Sequence, residues 1–147
     1  MDRYAFVLNI MDTAHACSKE LATSLEQLAS AKSVYQRLVS TYGKERVSST
    51  SSNDSPVLAS LIRQENRIED FKKQVAECEQ AIEKAERLIS LLQSRTYIQI
   101  LTAHCTLGWS HGRIAKSRSC ASSTVKRKYC EAIRIIANEL NKKEAGA

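Results

Sequence analysis

The sequence is poor in residues that interrupt helices, with 4 Gly and 1 Pro among 147 residues. Aromatic residues are also scarce, at 5% of the chain. Because turns depend heavily on Gly and Pro, this scarcity predicts long helices and an all-α fold.

Long apolar runs are missing as well. No stretch approaches the roughly 18 consecutive apolar residues of a membrane span, and the start of the chain, with Asp2 and Arg3 before a short apolar stretch, lacks a signal-peptide cleavage pattern. The 5 Cys are an odd number without a CxxC pair, which fits a reduced compartment better than a disulfide framework. We therefore expect a cytoplasmic protein with free thiols and no membrane partner.

No catalytic set stands out in the sequence. A Gly-rich phosphate loop is missing, and no Cys or Ser is accompanied by an evident base and orienting partner. A zinc site can be assembled on paper from His104, Cys105, His111, Cys120 and Cys130. Structural zinc sites, however, usually bring their ligands in tight pairs, and such pairs are missing here. The sequence predicts neither an enzyme nor a bound metal or cofactor.

Acidic residues are scarce in the last third of the chain. Residues 1–93 contain 12 Lys and Arg against 13 Asp and Glu, whereas residues 94–147 contain 10 against 3. The net charge of the chain, +6, therefore resides in its C-terminal part. A neutral body with a basic end is typical of a protein that carries a nucleic-acid-binding module, although a basic helix that is merely solvated is the simpler alternative.

Two segments have the seven-residue apolar repeat of coiled coils. In the first segment the repeat consists of Val7, Ala14, Leu21, Leu28, Tyr35 and Tyr42, together with Ile10, Cys17, Ser24, Ala31 and Leu38. In the second it consists of Leu61, Ile68, Val75, Ile82 and Ile89, together with Val57, Gln64, Phe71, Cys78, Ala85 and Leu92. Residues 43–55 lie between the segments and contain Gly43 and a Ser/Thr run, which predicts a loop.

If the chain folds back at this loop, one antiparallel register matches eleven layers of the two repeats, with paired residue numbers that sum to 99. Ala31 then lies near Ile68. We therefore predict helices over 2–42 and 56–93 that form a long antiparallel coiled-coil hairpin, the domain 1–93. Further apolar residues outside the repeats predict that another surface covers the hairpin: a second copy in a homodimer, the C-terminal domain or a foreign protein.

The segment 110–140 has the pattern of a helix-turn-helix. Ser110 can cap a short helix whose inward contacts are Ile114 and Ala115, and residues 119–123 interrupt the apolar pattern. A second helix then has a stripe of apolar residues at helical spacing: Val125, Tyr129, Ala132, Ile133, Ile136 and Leu140. The opposite face carries Ser123, Lys126, Arg127, Cys130 and Arg134. Arg and Lys on such a face can reach both phosphates and base edges of double-stranded DNA.

Short motifs in this part of the chain carry a family resemblance: Arg95-Thr96-Tyr97, Gly108-Trp109-Ser110 followed by Ile114-Ala115, and Ser123-Thr124-Val125 followed by Arg127 and Ala132-Ile133. They resemble region 4 of bacterial sigma factors, as it occurs in phage-encoded late transcriptional regulators of the ArpU/RinA kind. The segment Gly43–Ser49 also resembles these phage proteins. The chain departs from the pattern at Arg118, usually apolar, at Ser119, usually Gly, and at Ala121, usually a capping Ser or Thr, so that Ser122 becomes the alternative cap.

The resemblance implies a sequence-specific DNA-binding regulator of phage or prophage transcription in a bacterial cell, with host RNA polymerase as a further partner and 94–147 as its DNA-binding domain. We assign five residues to the DNA groove: Ser122, Ser123, Lys126, Arg127 and Arg134. We assign five others to phosphates: Ser110, Arg113, Lys116, Arg118 and Lys128. Two alternatives remain, a phage DNA-packaging recognition subunit and a coiled-coil adaptor that binds another protein.

Overall fold

The computed structural model describes residues 2–48 and 56–146, and within these ranges it contains helices and no strand. The predicted all-α fold is therefore confirmed for this part of the chain. The helices are α1 Arg3–Ser48, α2 Pro56–Ile89, α3 Arg95–Leu101, α4 His111–Ser117 and α5 Ser122–Ala145, and α3 continues directly into a π-helical turn over Thr102–Thr106. Among the helices of the described residues, none has both the length and the hydropathy needed to cross a membrane.

Two helix boundaries differ from the prediction. Helix α1 continues through Gly43 to Ser48, so that residues 43–48 of the predicted loop are helical, while residues 49–55 lie outside the described part of the chain. A Gly in a helix costs about 1 kcal/mol relative to Ala, which a long helix tolerates. Helix α2 ends at Ile89, before the predicted residue 93, because the bonds from the Leu91 and Leu92 amides to the carbonyls of Leu88 and Ile89 tighten the chain into a turn.

The chain forms two compact units. Unit 1 comprises Met1–Leu21 and Cys78–Ala147, and unit 2 comprises Ala22–Glu77. Helices α1 and α2 contribute residues to both units. The domain boundary that we predicted between residues 93 and 94 lies within unit 1.

The core of unit 1 is built from all five helices. Its buried members are Val7, Met11, Ala14, Ala85, Ile89, Leu92, Ile100, Leu101, Cys105, Ile114, Ala115, Val125, Tyr129, Ala132, Ile133, Ile136 and Ala137. The apolar stripe predicted for α5 is thus buried from Val125 to Ile136, whereas Leu140, at its end, is half-buried. Burial of one large aliphatic side chain contributes about 1.5–3 kcal/mol, so the stripe holds α5 firmly on the rest of the unit.

Unit 2 contains parts of the two heptad repeats. Its buried residues are Ser24, Ala31, Leu61, Ile68 and Val75, all of which are repeat positions. The Tyr35 hydroxyl donates a hydrogen bond of 2.9 Å to Glu65 Oε1. Among the described side chains of unit 2, three large apolar ones are nevertheless exposed: Leu25, Val39 and Ile62.

Candidate nucleic-acid interface

Helix α4 begins with the predicted cap. Ser110 has extended backbone angles, and its Oγ accepts a hydrogen bond of 3.2 Å from the Arg113 amide, which confirms the capping role. Ile114 and Ala115 are buried in the core of unit 1, as predicted. Because two inward residues fix the rotation of a helix about its axis, Arg113 and Lys116 are presented on the exposed side.

A Schellman turn ends α4 and leads to α5. The Cys120 amide bonds to the Ala115 carbonyl at 3.0 Å, and the Ser119 amide bonds to the Lys116 carbonyl at 3.3 Å. This motif requires a left-handed residue between the helices, and Ser119 takes that position with φ 55°. The turn that glycine usually makes is therefore made here by Ser119, at some cost in backbone strain.

Helix α5 starts without a side-chain cap. Ala121 is the N-cap residue and Ser122 is already the first residue of the helix, so the expectation that Ser122 caps it is wrong. The amides of Thr124 and Val125 instead bond to the Ala121 carbonyl. The side-chain hydroxyls in the first turn of α5 therefore do not cap the helix.

Nine of the ten predicted DNA-contacting residues are exposed, and Lys128 is half-buried. Seven of them flank the turn closely on α4 and the first two turns of α5: Arg113, Lys116, Arg118, Ser122, Ser123, Lys126 and Arg127. Lys128 lies beside the buried stripe. Arg134 lies about 10 Å farther along α5 than Arg127, at 1.5 Å per residue, and lines a surface cavity together with Arg3 and Tyr4 of α1.

Three of these arginines are held by neighbouring side chains. The Arg113 guanidinium lies over the Trp109 ring, 4.1 Å from its centroid. Arg118 Nη1 donates a hydrogen bond of 2.8 Å to Gln99 Oε1 of α3. Arg127 Nε lies 3.8 Å from Glu131 Oε1, one turn later on α5.

Sequence reasoning missed the partners of Arg118 and Arg127. Glu131 also accepts a hydrogen bond of 2.8 Å from the Tyr97 hydroxyl of α3, and this bond is the main cause that raises the pKa of Tyr97. The four-residue spacing from Arg127 to Glu131 was a readable signal. Nothing in the sequence marks Tyr97 or Gln99 as a partner, because both belong to a different helix.

The three histidines of the chain stack on one another in unit 1. The rings of His15 and His104 lie 3.8 Å apart and 8° from parallel, and those of His104 and His111 lie 4.2 Å apart and 10° from parallel. Tyr129 meets the rings of His104 and His111 edge-on. We call this group the histidine stack. It joins α1, the π-helical turn, α4 and α5, and no spacing in the sequence predicted it.

Hydrogen bonds fix the proton positions within the stack. His15 Nδ1 lies 2.8 Å from the His104 carbonyl oxygen, and His104 Nδ1 lies 2.7 Å from the Trp109 carbonyl oxygen. A carbonyl can only accept, so both Nδ1 atoms carry the proton. The Tyr129 hydroxyl donates to Asp12 Oδ1 at 3.2 Å.

The surroundings of His104 and His111 favour the neutral form of both rings. Burial lowers the pKa of His104 to about 4, against an opposing effect of its bond to Trp109. Burial also lowers the pKa of His111, with a further contribution from the charge of Lys126. Two adjacent parallel rings that both carried a charge would repel each other, and this repulsion acts on His104 and His111 in the same direction as burial.

The residues of the hypothetical zinc site do not converge. His104 and His111 face each other ring to ring, whereas Cys105 is buried against Met11, with 3.6 Å between the sulfurs. Burial raises the pKa of the Cys105 thiol to about 12. Cys120 is exposed in the turn. Within residues 2–48 and 56–146, no three His, Cys, Asp or Glu side chains form a group that could hold a metal ion.

Comparison of the chain with models of protein families, with curated proteins and with solved structures gave no match.

Proposed function

We propose that this chain binds double-stranded DNA in a sequence-specific manner and regulates transcription. The observation that carries the proposal is the exposed basic surface formed by α4, the Schellman turn and the start of α5. It lies opposite the stripe that is buried from Val125 to Ile136, in a part of the chain that has 10 basic and 3 acidic residues. The pair α4 and α5 has the order and the short turn of a helix-turn-helix, in which the second helix enters the major groove.

The side chains divide between two roles in this proposal. Residues of the exposed face of α5 read the groove: Ser122, Ser123, Lys126, Arg127 and Arg134. Residues of α4, its cap and the flank of α5 contact phosphates: Ser110, Arg113, Lys116, Arg118 and Lys128. The stacking of Arg113 on Trp109 supports a positioning role, because a guanidinium that is already ordered loses less entropy on meeting a phosphate.

The role in transcription comes from the resemblance to the ArpU/RinA kind of phage regulator and to sigma factor region 4. The resemblance implies a cytoplasmic protein of a bacterial cell that acts on phage or prophage genes as a binding protein rather than an enzyme. Host RNA polymerase is the further partner that the sigma-like pattern implies.

Helices α1 and α2 serve as the oligomerisation element in this proposal. The Tyr35–Glu65 bond and the burial of Ala31 and Ile68 within unit 2 support the antiparallel hairpin. In the predicted register Tyr35 pairs with Gln64, and Glu65 is the next residue along α2. Exposed Leu25 supports a homodimer that covers the remaining apolar surface. The same side chain also fits the alternative of an adaptor that binds another protein.

Selection from a random pool of duplex DNA tests the proposal. We expect the full chain to enrich one sequence, and its affinity for random duplex to fall steeply as salt rises, because each neutralised phosphate releases counterions. A suitable control is Lys32→Ala, an exposed lysine of unit 2 that should leave binding unchanged. Failure to bind duplex DNA at low salt would exclude the proposal and favour the adaptor.

A further inference from the structure

The surface proposed to face DNA contains one carboxylate. Between residues 94 and 138 of the sequence, Glu131 is the single acidic residue, in a segment with eight Lys and Arg. It lies on α5 one turn beyond Arg127 and is half-buried. A carboxylate at this position repels phosphates, so a DNA-binding surface gains nothing from it as a backbone contact.

Glu131 contacts Tyr97 of α3 on one side and Arg127 of α5 on the other. Its Oε2 accepts from the Tyr97 hydroxyl at 2.8 Å, and its Oε1 lies 3.8 Å from Arg127 Nε. The contacts thus run from α3 through Glu131 to the Arg127 side chain, which is 67% exposed. Glu131 is thus the residue that contacts both Tyr97 and Arg127.

A contribution to folding stability does not account for the Arg127–Glu131 ion pair. Exposed ion pairs contribute little to folding, and a pair with the basic residue on the N-terminal side has the less favourable orientation on a helix. Orientation of Arg127 is the remaining consequence of the contact. Bidentate recognition of guanine needs a guanidinium fixed in plane and direction.

We propose that Glu131, anchored by Tyr97, is a positioning residue that orients Arg127 toward base edges and opposes its use as a general phosphate contact. This inference rests on the proposed DNA binding. Glu131 then raises the preference for the specific site in two ways: it favours the bidentate geometry of Arg127, and its charge weakens binding to DNA that lacks the matching base.

Tyr97→Phe is the most informative variant, because it removes the anchor without changing any charge. Tyr35→Phe is its matched control, since it removes a Tyr–Glu hydrogen bond of 2.9 Å in unit 2. Each is measured at one salt concentration against the duplex selected by the wild-type chain and a scrambled duplex of equal length. Tyr97→Phe should weaken binding to the selected duplex by roughly threefold to tenfold, the equivalent of one hydrogen bond, and leave the scrambled duplex unaffected. Tyr35→Phe should change neither.

A double-mutant cycle shows whether Tyr97 acts through Arg127. In the Arg127→Ala background, Tyr97→Phe should have no further effect on the selected duplex. An undiminished effect in that background would overturn the inference, because Tyr97 would then affect DNA binding without Arg127. Equal losses on both duplexes, or no loss on either, would overturn it as well.

Glu131→Gln provides an independent measurement, since it keeps an acceptor for Tyr97 and removes the charge. Binding to the scrambled duplex should strengthen by roughly fivefold at about 0.15 M salt, and the preference for the selected duplex should fall. No gain on the scrambled duplex would overturn the charge part of the inference. A wild-type chain that binds no duplex would overturn this inference together with the proposed function, whereas a wild-type chain that selects a sequence while Tyr97→Phe is silent would overturn this inference alone.

Discussion

Acidification should destabilise unit 1 through the histidine stack. In the folded chain, burial holds the pKa of His104 at about 4, below its ordinary value of 6.5. Between these two values the unfolded chain binds a proton that the folded chain does not. The contribution of His104 to the free energy of unfolding is therefore fully present above about pH 6.5 and is lost as the pH falls toward 4.

The size of the effect follows from the shift. Each pKa unit corresponds to 1.36 kcal/mol, so the full displacement amounts to about 3 kcal/mol, and about 2 kcal/mol of it is lost between pH 7 and pH 5. His104 is 6% exposed, so solvent does little to screen this interaction. The lowered pKa of His111 adds a contribution of the same sign. Small domains have a stability of about 5–15 kcal/mol, which makes such a loss easy to measure.

Urea unfolding at pH 7, 6 and 5 measures this loss. Trp109, the single Trp of the chain, lies in unit 1 and reports its unfolding by fluorescence. The range stops at pH 5 because carboxylates titrate below it. His104→Asn keeps a donor for the Trp109 carbonyl and removes the titrating ring. It should be less stable at pH 7 but lose clearly less stability between pH 7 and 5. Parallel pH dependence in the wild type and this variant would show that His104 titrates normally in the folded chain.

Three further predictions concern recognition, two glycine positions and the folding of a C-terminal fragment. Arg127→Ala should cost about 1–3 kcal/mol of binding free energy on the selected duplex and much less on random DNA. Lys116→Ala should weaken binding to both DNAs alike and lower the salt slope by about one. Equal losses on both DNAs for Arg127→Ala would show that Arg127 is a phosphate contact. Gly108→Ala should destabilise unit 1 by about 1–3 kcal/mol, because Gly108 has φ 74° and a Cβ there would lie 3.3 Å from the α1 backbone. Gly43 has open space around it, so Gly43→Ala should instead stabilise the chain by about 0.5–1 kcal/mol. Urea unfolding compares the two variants, and equal effects would contradict the close approach of Gly108 to α1. The fragment 94–147 should lack a cooperative thermal transition by circular dichroism, because it omits core residues of α1 and α2; a sharp transition would show that it folds alone.

The local features of this protein could be predicted from its amino-acid pattern. The seven-residue repeats predicted long helices, and the stripe from Val125 to Ile136 predicted the buried face of α5, because helical periodicity fixes which side chains share a face. The predicted cap at Ser110 was confirmed for the same reason, since capping involves residues three apart in the chain. The exposed positions of Lys126 and Arg127 followed from the buried stripe.

Which helices share a core, and which side chains the exposed charged residues contact, became visible in the three-dimensional fold. Val7, Met11 and Ala14 of α1 pack with α3, α4 and α5, although a heptad pattern says only that a stripe is apolar and not what covers it. The histidine stack gathers His15 with rings that lie far from it in the chain. The bond from Tyr97 to Glu131 joins two helices in the same manner. Such contacts depend on the relative placement of elements distant in sequence, which local periodicity, capping and composition do not encode.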